Sequence, residues 1–322
     1  MKRQTVILLI VFGLLLVSFS PSHSFDGPFP VRNQFPLYRV ANPPSLERAS
    51  LEDSFSADLS YASVYMVRSS SSWSISADME VAELDFRFRK SFGGSVELGI
   101  DVPFISFNSG FMDSFLNDYH RAFGFPDYGR SERPLNSFLY EVRRNGVLLI
   151  QGGTGTGIGD IRLTVKKTLL KSDSAAITLL GDVELPTGDA SQGFGNGSLD
   201  AGAAVLVEKR IGEKVMLYGN AGIISPGKLR AEETLNLKAS PYAGLGAEAA
   251  LWSHVSLLAQ IMFQKSPLPQ TGIPSLDRPS ALLSLGGRYA WGNNSLDFAF
   301  TEDPNTAGAP DVSFTFSFKR KF

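Results

Sequence analysis

Val312-Ser313-Phe314-Thr315-Phe316-Ser317-Phe318-Lys319-Arg320-Lys321-Phe322 is the stretch whose reading decides the fold. Apolar side chains alternate with small or polar ones from Val312 to Phe318, and the sequence ends on Phe322. Side chains on a strand point alternately to its two faces, so this run is a strand with one apolar and one polar face.

Working back from it, the same period of two recurs along the chain. Phe55, Ala57, Leu59, Tyr61, Tyr65 and Val67 share one face. Ala82, Leu84, Phe86 and Phe88 oppose Glu83, Asp85, Arg87 and Arg89, and Val96, Leu98, Ile100, Val102 and Phe104 oppose Ser95, Glu97, Gly99 and Asp101. Ile161, Leu163, Val165 and Leu169 alternate with Arg162, Thr164, Lys166 and Thr168, and similar runs start near Ala175, Leu199, Val215, Ala239, Val255, Ala281 and Leu296. With the terminal strand this makes about twelve, an even number, as single-chain bacterial barrels have. The connections alternate too. Tight turns are expected at Ser91–Gly94, Lys171–Ser174, Arg210–Glu213, Ser253–His254 and Trp291–Asn294. Longer loops are expected at Arg68–Ala77, residues 105–157, Thr187–Ser198, Pro226–Leu235, Ser266–Pro279 and Glu302–Asp311. Such sorting predicts an all-β, transmembrane antiparallel up-and-down β-barrel over residues 54–322, with both termini periplasmic and the loops outside. Tyr61, Tyr65, Trp252, Tyr289, Trp291 and Phe322 fall near expected strand ends, where interfacial girdles form.

The other end of the chain agrees. Lys2 and Arg3, an apolar run from Val6 to Val17 and the small-residue site Ser22-His23-Ser24 read as a secretory signal peptide over residues 1–24. The run is shorter than the roughly 20 residues of a membrane-spanning helix. The chain has no Cys, which excludes disulfides, thiolate metal sites and a lipid-anchored cysteine. Charged residues are 19% of the chain, below the usual share of about 25%. Lys and Arg total 30 against 32 Asp and Glu, so nothing points to nucleic acid.

Two regions depart from the repeat. Residues 25–53 carry Pro28, Pro30, Pro36, Pro43 and Pro44, a density that precludes a central strand. The segment reads as a periplasmic leader, the simpler reading, or as an insert in the lumen. In the long loop, Phe111, Met112, Phe115, Leu116, Tyr119 and Phe123 follow helical spacing, with Ser109 as cap and Gly124 as stop. Farther on, 138–142 and 147–151 flank Asn145-Gly146, a type I′ hairpin signal.

A terminal Phe on an alternating strand, here with Phe318, resembles the C-terminal signal of bacterial outer-membrane barrels, although Arg320 departs from that pattern. Gly157-Ile158-Gly159-Asp160 before a strand, Leu185-Pro186-Thr187-Gly188-Asp189 after the next, and Glu302-Asp303-Pro304 leading to Pro310-Asp311 are similar to an uncharacterised family of Gram-negative outer-membrane barrels. That family carries a domain-of-unknown-function label and is similar in style to barrels encoded with phenol-degradation pathways. The resemblance implies an outer-membrane location, outer-membrane lipid and the barrel-insertion machinery as partners, and no substrate or catalytic residues.

Catalytic chemistry has little to build on. His254 falls in a tight turn, and His120 with Asp118 or Asp127 is the one pairing that could act as general base in a lipid-cleaving site. A solvated loop histidine is the simpler reading, and the chain reads as no enzyme. Gly152–Gly159 matches no phosphate-binding pattern, and Asp189–Asp200 lacks the spacing of an EF-hand, so no cofactor and no metal is expected.

With apolar residues toward lipid, the lumen-facing set is Glu83, Asp85, Arg87, Arg89, Glu97, Asp101, Arg162, Lys166, Asp182 and Glu184, acidic strands flanking a basic one. The far wall, with Gly202, Ala204, Gly222, Gly244, Gly246, Ala250, Ser256, Ser284 and Gly286, reads as small and weakly charged. Twelve strands fall between filled barrels and open porins. The expectation is a narrow channel or transporter for small solutes, amphipathic ones among them, with a non-conducting structural or assembly-related barrel as the alternative.

Overall fold

A computed structural model describes residues 25–124 and 129–322. The signal-peptide reading of residues 1–24 and the proposed His120 partner Asp127 lie outside the described residues. Strands β1 (Ser54–Ser69), β2 (Trp73–Phe92) and β3 (Val96–Asn108) come first, then the short β4 (Leu139–Arg144), β5 (Val147–Gln151) and β6 (Gly155–Ile158). There follow β7 (Ile161–Lys171), β8 (Ala175–Leu185), β9 (Asp200–Ile211), β10 (Val215–Ser225), the short β11 (Lys228–Arg230) and β12 (Thr234–Asn236), and β13 (Ser240–Trp252). The last four are β14 (Val255–Gln264), β15 (Ser280–Trp291), β16 (Asn294–Glu302) and β17 (Val312–Lys321).

Leaving aside the five short strands, each strand pairs antiparallel with the next, and β17 returns to β1, with Ala57 opposite Phe318 and Tyr61 opposite Phe314. The result is a closed 12-strand up-and-down barrel. Closure leaves no edge, so every wall backbone group can be satisfied within the sheet, which is the condition for crossing a bilayer with strands.

The faces are inverted relative to a water-soluble protein. Leu59, Leu98, Val165, Leu245, Phe298 and Phe316 are exposed on the outside, whereas Ser60, Thr178, Glu248, Ser284 and Thr315 are buried inside. Trp252, Tyr289 and Phe322 stand exposed at the end of the barrel that carries the tight turns, and Tyr289 lies 5.7 Å from Trp291. At the other end Tyr61 and Tyr65 do not stand free. Their hydroxyls donate to Asn108 Oδ1 (3.1 Å) and to the Gly129 carbonyl (2.8 Å).

The five tight turns form where expected, but Arg68–Ala77 is not a loop. The β1–β2 ladder runs on to Ser69 opposite Ser74, and the turn is confined to Ser70, Ser71 and Ser72. A serine run reads as a loop, yet Trp73, Ile75, Ala77 and Met79 keep the alternation and bury one face. β4 then pairs with the outer part of β2 and β6 with the outer part of β3, extending the wall at the loop end. Asn145 (φ 50°) and Gly146 (φ 80°) make the β4–β5 turn, both left-handed as a type I′ turn requires. The helix Asp113–Phe123 ends at Gly124 (φ 68°) as read, but it starts after Met112, and Ser109 is not its cap.

The loop neither caps the mouth as a whole nor folds inward. β4 and β5 help cover the mouth, while residues 109–124 and 129–138 lie across the outside of the wall. Glu80 and Asp78 of β2 point outward and are buried under it: Glu80 accepts the amides of Phe111 (2.9 Å) and Met112 (2.6 Å), and Asp78 accepts from Ser137 (2.6 Å). Arg130 pins the far part of the loop by its ion pairs with Asp113 (2.6 Å) and Asp311.

Candidate functional site: a plugged, charge-lined lumen

The leader reading of residues 25–53 gives way to the luminal one. From Phe25 the chain climbs through the lumen, turns over in a short helix at Pro36–Arg39, and descends to enter β1. Contacts follow that path. Near the turn end, the Gly27 amide donates to Tyr218 (3.2 Å). At mid-height Phe29 exchanges hydrogen bonds with Gln260, its amide donating at 2.8 Å and its carbonyl accepting at 3.3 Å. Near the loop end Asn33 donates to the Gly308 carbonyl (2.7 Å). On the way down Asn42 donates to Asp182 (2.6 Å), Glu47 N to Asn220 (2.6 Å), and the amides of Ala49 and Ser50 to Glu208 (3.1 Å each). A proline-rich segment cannot join a ladder, and several of its amides and carbonyls are met instead by wall side chains.

All ten charged wall residues read from the sequence lie on the inward face and are mostly or fully buried. Cross-strand pairs form as alternation implies: Arg162 with Asp182 (3.1 Å) and Asp101 (3.5 Å), Lys166 with Glu97 (3.3 Å), and Arg89 with Asp101 (2.6 Å). The plug completes the network. Arg32 reaches Asp101 (2.6 Å) and Asp85 (3.4 Å), and Arg39 reaches Glu83 (3.4 Å). Glu47 reaches Lys166 (2.9 Å), Arg162 (3.1 Å) and Arg87 (3.6 Å). Arg32 and Arg39 of the plug thus meet the acidic sector and Glu47 meets the basic one. Glu184 lines a cavity of about 10 Å³ with Arg32, Arg39, Glu83 and Asp160.

The far wall corrects another expectation. Its small residues are there, but the space above them is filled: Leu46 packs over Gly244 and Gly246, and Phe29, Val31 and Leu46 join a buried cluster with Ala204, Tyr242 and Leu258. Nor is the wall weakly charged. Arg288 pairs with Asp297 (2.6 Å) and Glu248 (2.9 Å), and Tyr218 donates to Glu248 (2.8 Å). Glu248 has the parity of Gly244 and Gly246, and Arg288 that of Ser284, so period two alone could have found both.

Above the charges, the crest residues Phe35, Leu37, Tyr38 and Val40 pack with Ile75, Phe107, Tyr140, Leu149, Phe194 and Leu276 into an apolar core that closes the loop end. Gly308 (φ 57°) lets its backbone lie against the Tyr38 ring, where a Cβ would approach to 2.5 Å. At the turn end a cavity of about 50 Å³ remains beside Asp26, Glu47, Arg48, Arg87 and Lys166. A larger hollow, about 470 Å³, lies outside the wall against Phe88, Leu98, Ile100 and Phe322.

The motifs that carried the resemblance interlock. Thr187 Oγ1 donates to the Gly159 carbonyl (2.7 Å) and accepts from the Ile161 amide (3.0 Å), while Asp160 accepts from the amides of Gly188 (2.7 Å) and Asn196 (3.0 Å). Burial pushes the Asp160 carboxyl up, and those amides draw it back. Asp303 likewise takes the amides of Asn305 (3.1 Å) and Ala307 (2.7 Å), and burial raises its carboxyl to about 6.

Residues 5–322 match the family described as "Protein of unknown function (DUF3187)". The chain belongs to that family. No curated protein matches the sequence. Among solved structures, the COG4313 outer membrane channel from Pseudomonas putida F1 aligns with a TM-score of 0.56 at 12% identity, covering 87% of this chain and 99% of that one. The NanC porin aligns at 0.47 with 5% identity (83% and 98% covered), and the Ralstonia pickettii toluene transporter TbuX at 0.45 with 10% identity (91% and 99% covered). The first of these shares the barrel fold with this DUF3187 chain.

Among the described residues, His120 and His254 lie in separate elements. His120 sits on the helix Asp113–Phe123, where Asp118 pairs with Arg121 (3.2 Å), and the His254 ring meets the Ala290 carbonyl (2.9 Å) within its turn. Asp189 and Asp200, at the ends of the acidic loop, accept from Ser191 and Asn196.

Proposed function

We propose that this DUF3187 protein is an outer-membrane conduit for small solutes held shut by its own N-terminal segment. The observation that carries the reading is the filling of the lumen by residues 25–50 through ion pairs and hydrogen bonds at mid-height, beneath an apolar seal. An ionic contact facing a polar bore can exchange its partners for water as the plug shifts, whereas an apolar core would resist wetting. The fold shared with a protein named an outer membrane channel supports the same reading. Both termini are then periplasmic, with the long loops outside.

The test is conductance in planar bilayers. The wild-type barrel should be nearly silent, and Glu47→Arg, which sets a cation among Arg87, Arg162 and Lys166, should produce discrete current steps. Silence of both proteins, with the variant folded, would leave a non-conducting structural barrel, the reading that the occluded lumen also fits.

Assembly is the second part of the proposal. Phe322 is 76% exposed and its amide bonds the Asp53 carbonyl (3.0 Å), while Phe318 lies on the outward face 6.5 Å from Trp291. We take the two aromatics as the signal read by the insertion machinery. Deleting Phe322 should then slow appearance of the heat-modifiable form in outer membranes, with little change in the unfolding temperature of barrels that do assemble. A lowered unfolding temperature at normal assembly rate would make the residue a structural clasp instead.

A further inference from the structure

The helix Asp113–Phe123 lies on the outside of the barrel, over the seam where the first and last strands meet. Its buried Leu116, with Met112, packs on Val312, and its rings continue outward aromatics of the wall: Phe111 on Tyr61 (5.3 Å), Phe115 on Phe314 (6.4 Å) and Tyr119 on Phe300 (6.3 Å). Farther down the same strand faces, Leu59, Phe298 and Phe316 are exposed on the lipid-facing surface. Phe111, just ahead of the helix, nevertheless remains 71% exposed, and on the helix Phe115 remains 50% and Phe123 60% exposed. Exposed Ser114 and Arg121 project roughly 100–120° around the helix from Phe115, whereas Asp118, three residues after Phe115, lies nearer the aromatic edge.

Depth follows from the wall. Outward-facing carboxylates begin at this level: Glu302 takes the Tyr119 hydroxyl, and Glu80 takes the Phe111 and Met112 amides. Carboxylates do not enter hydrocarbon without such partners, so the helix sits at the boundary between the apolar band and the headgroups. A helix with one apolar and one charged edge at that depth lies in the interface plane.

We propose that this helix is an interfacial lipid-binding element, with Phe111, Phe115 and Phe123 seated among the acyl chains of the leaflet at the loop end. Continuity of its aromatic edge with the lipid-facing wall argues for acyl chains as the occupant. The chain has no native cysteine, so single nitroxide labels at Phe115→Cys and Arg121→Cys can be read in full-length protein folded into phosphatidylcholine–phosphatidylglycerol vesicles. The ratio of signal relief by oxygen to relief by a water-soluble nickel chelate should be several-fold higher at 115 than at 121. Equal ratios would overturn the proposal. So would spin–spin broadening between labels at 115, which would assign the edge to a second copy of the chain. Should Phe115→Cys fail to fold, Phe111→Cys reports on the same edge, because that ring is the more exposed.

Discussion

Replacing both Arg162 and Lys166 by Glu should leave almost no plugged barrel. Arg162 is 2% exposed and holds Asp182, Glu47 and Asp101 together, and Lys166 holds Glu47 and Glu97. The double reversal would set six carboxylates together in a place that water barely reaches. Losing one partner of a buried pair costs roughly 3–5 kcal/mol, and two such losses approach the whole margin of about 5–15 kcal/mol that holds a domain folded. The readout is the heat-modifiable fraction together with a urea unfolding curve. Adding Glu47→Lys should restore part of the loss, because it returns a cation to the cluster. Wild-type assembly and stability in the double variant would mean that these side chains face open water, and the picture of a dry, plugged lumen would be wrong.

Arg130→Met should free the outer strap while leaving the barrel standing. The guanidinium is 3% exposed, bridges Asp113 and Asp311, donates to Ser63 Oγ (3.2 Å) and lies 5.1 Å over the Tyr65 ring. Without it two carboxylates face each other under the loop. The cost is again about 3–5 kcal/mol, or roughly two to nearly four decades in the local opening equilibrium. Limited proteolysis should then cut near Arg121 and Arg133 while the barrel still migrates as a folded species. A variant as resistant as wild type would show that Glu80 and the aromatic contacts hold the strap by themselves.

The wall was legible because its signal is local. Period two in β1, β3 or β17 reports which face each side chain takes, and a closed barrel uses that alternation on every strand. Turn parity came with it, as did the helix stop at Gly124 and the Asn145-Gly146 hairpin, since each depends on a backbone conformation that few residues favour. Where local signals misled, they were overruled by pairing at a distance. Ser69–Ser72 reads as a loop, yet β1 and β2 stay in register beside it, with β4 paired to the far side of β2.

By itself, then, the sequence carried a count of about twelve strands, the inward set from Glu83 to Glu184 and the kinship with an outer-membrane barrel family. It also held the far-wall charges, Glu248 and Arg288, in plain parity, although the small residues around them masked the signal. Only the tertiary structure decided what fills the bore. Pro28, Pro30, Pro36, Pro43 and Pro44 exclude a strand but carry no periodicity, so nothing local separates an extended leader from an extended plug. The choice rests on wall groups far away in the chain, such as Gln260 for Phe29, Asn220 for Glu47 and Asp101 for Arg32, which meet the segment only once the barrel has closed around it.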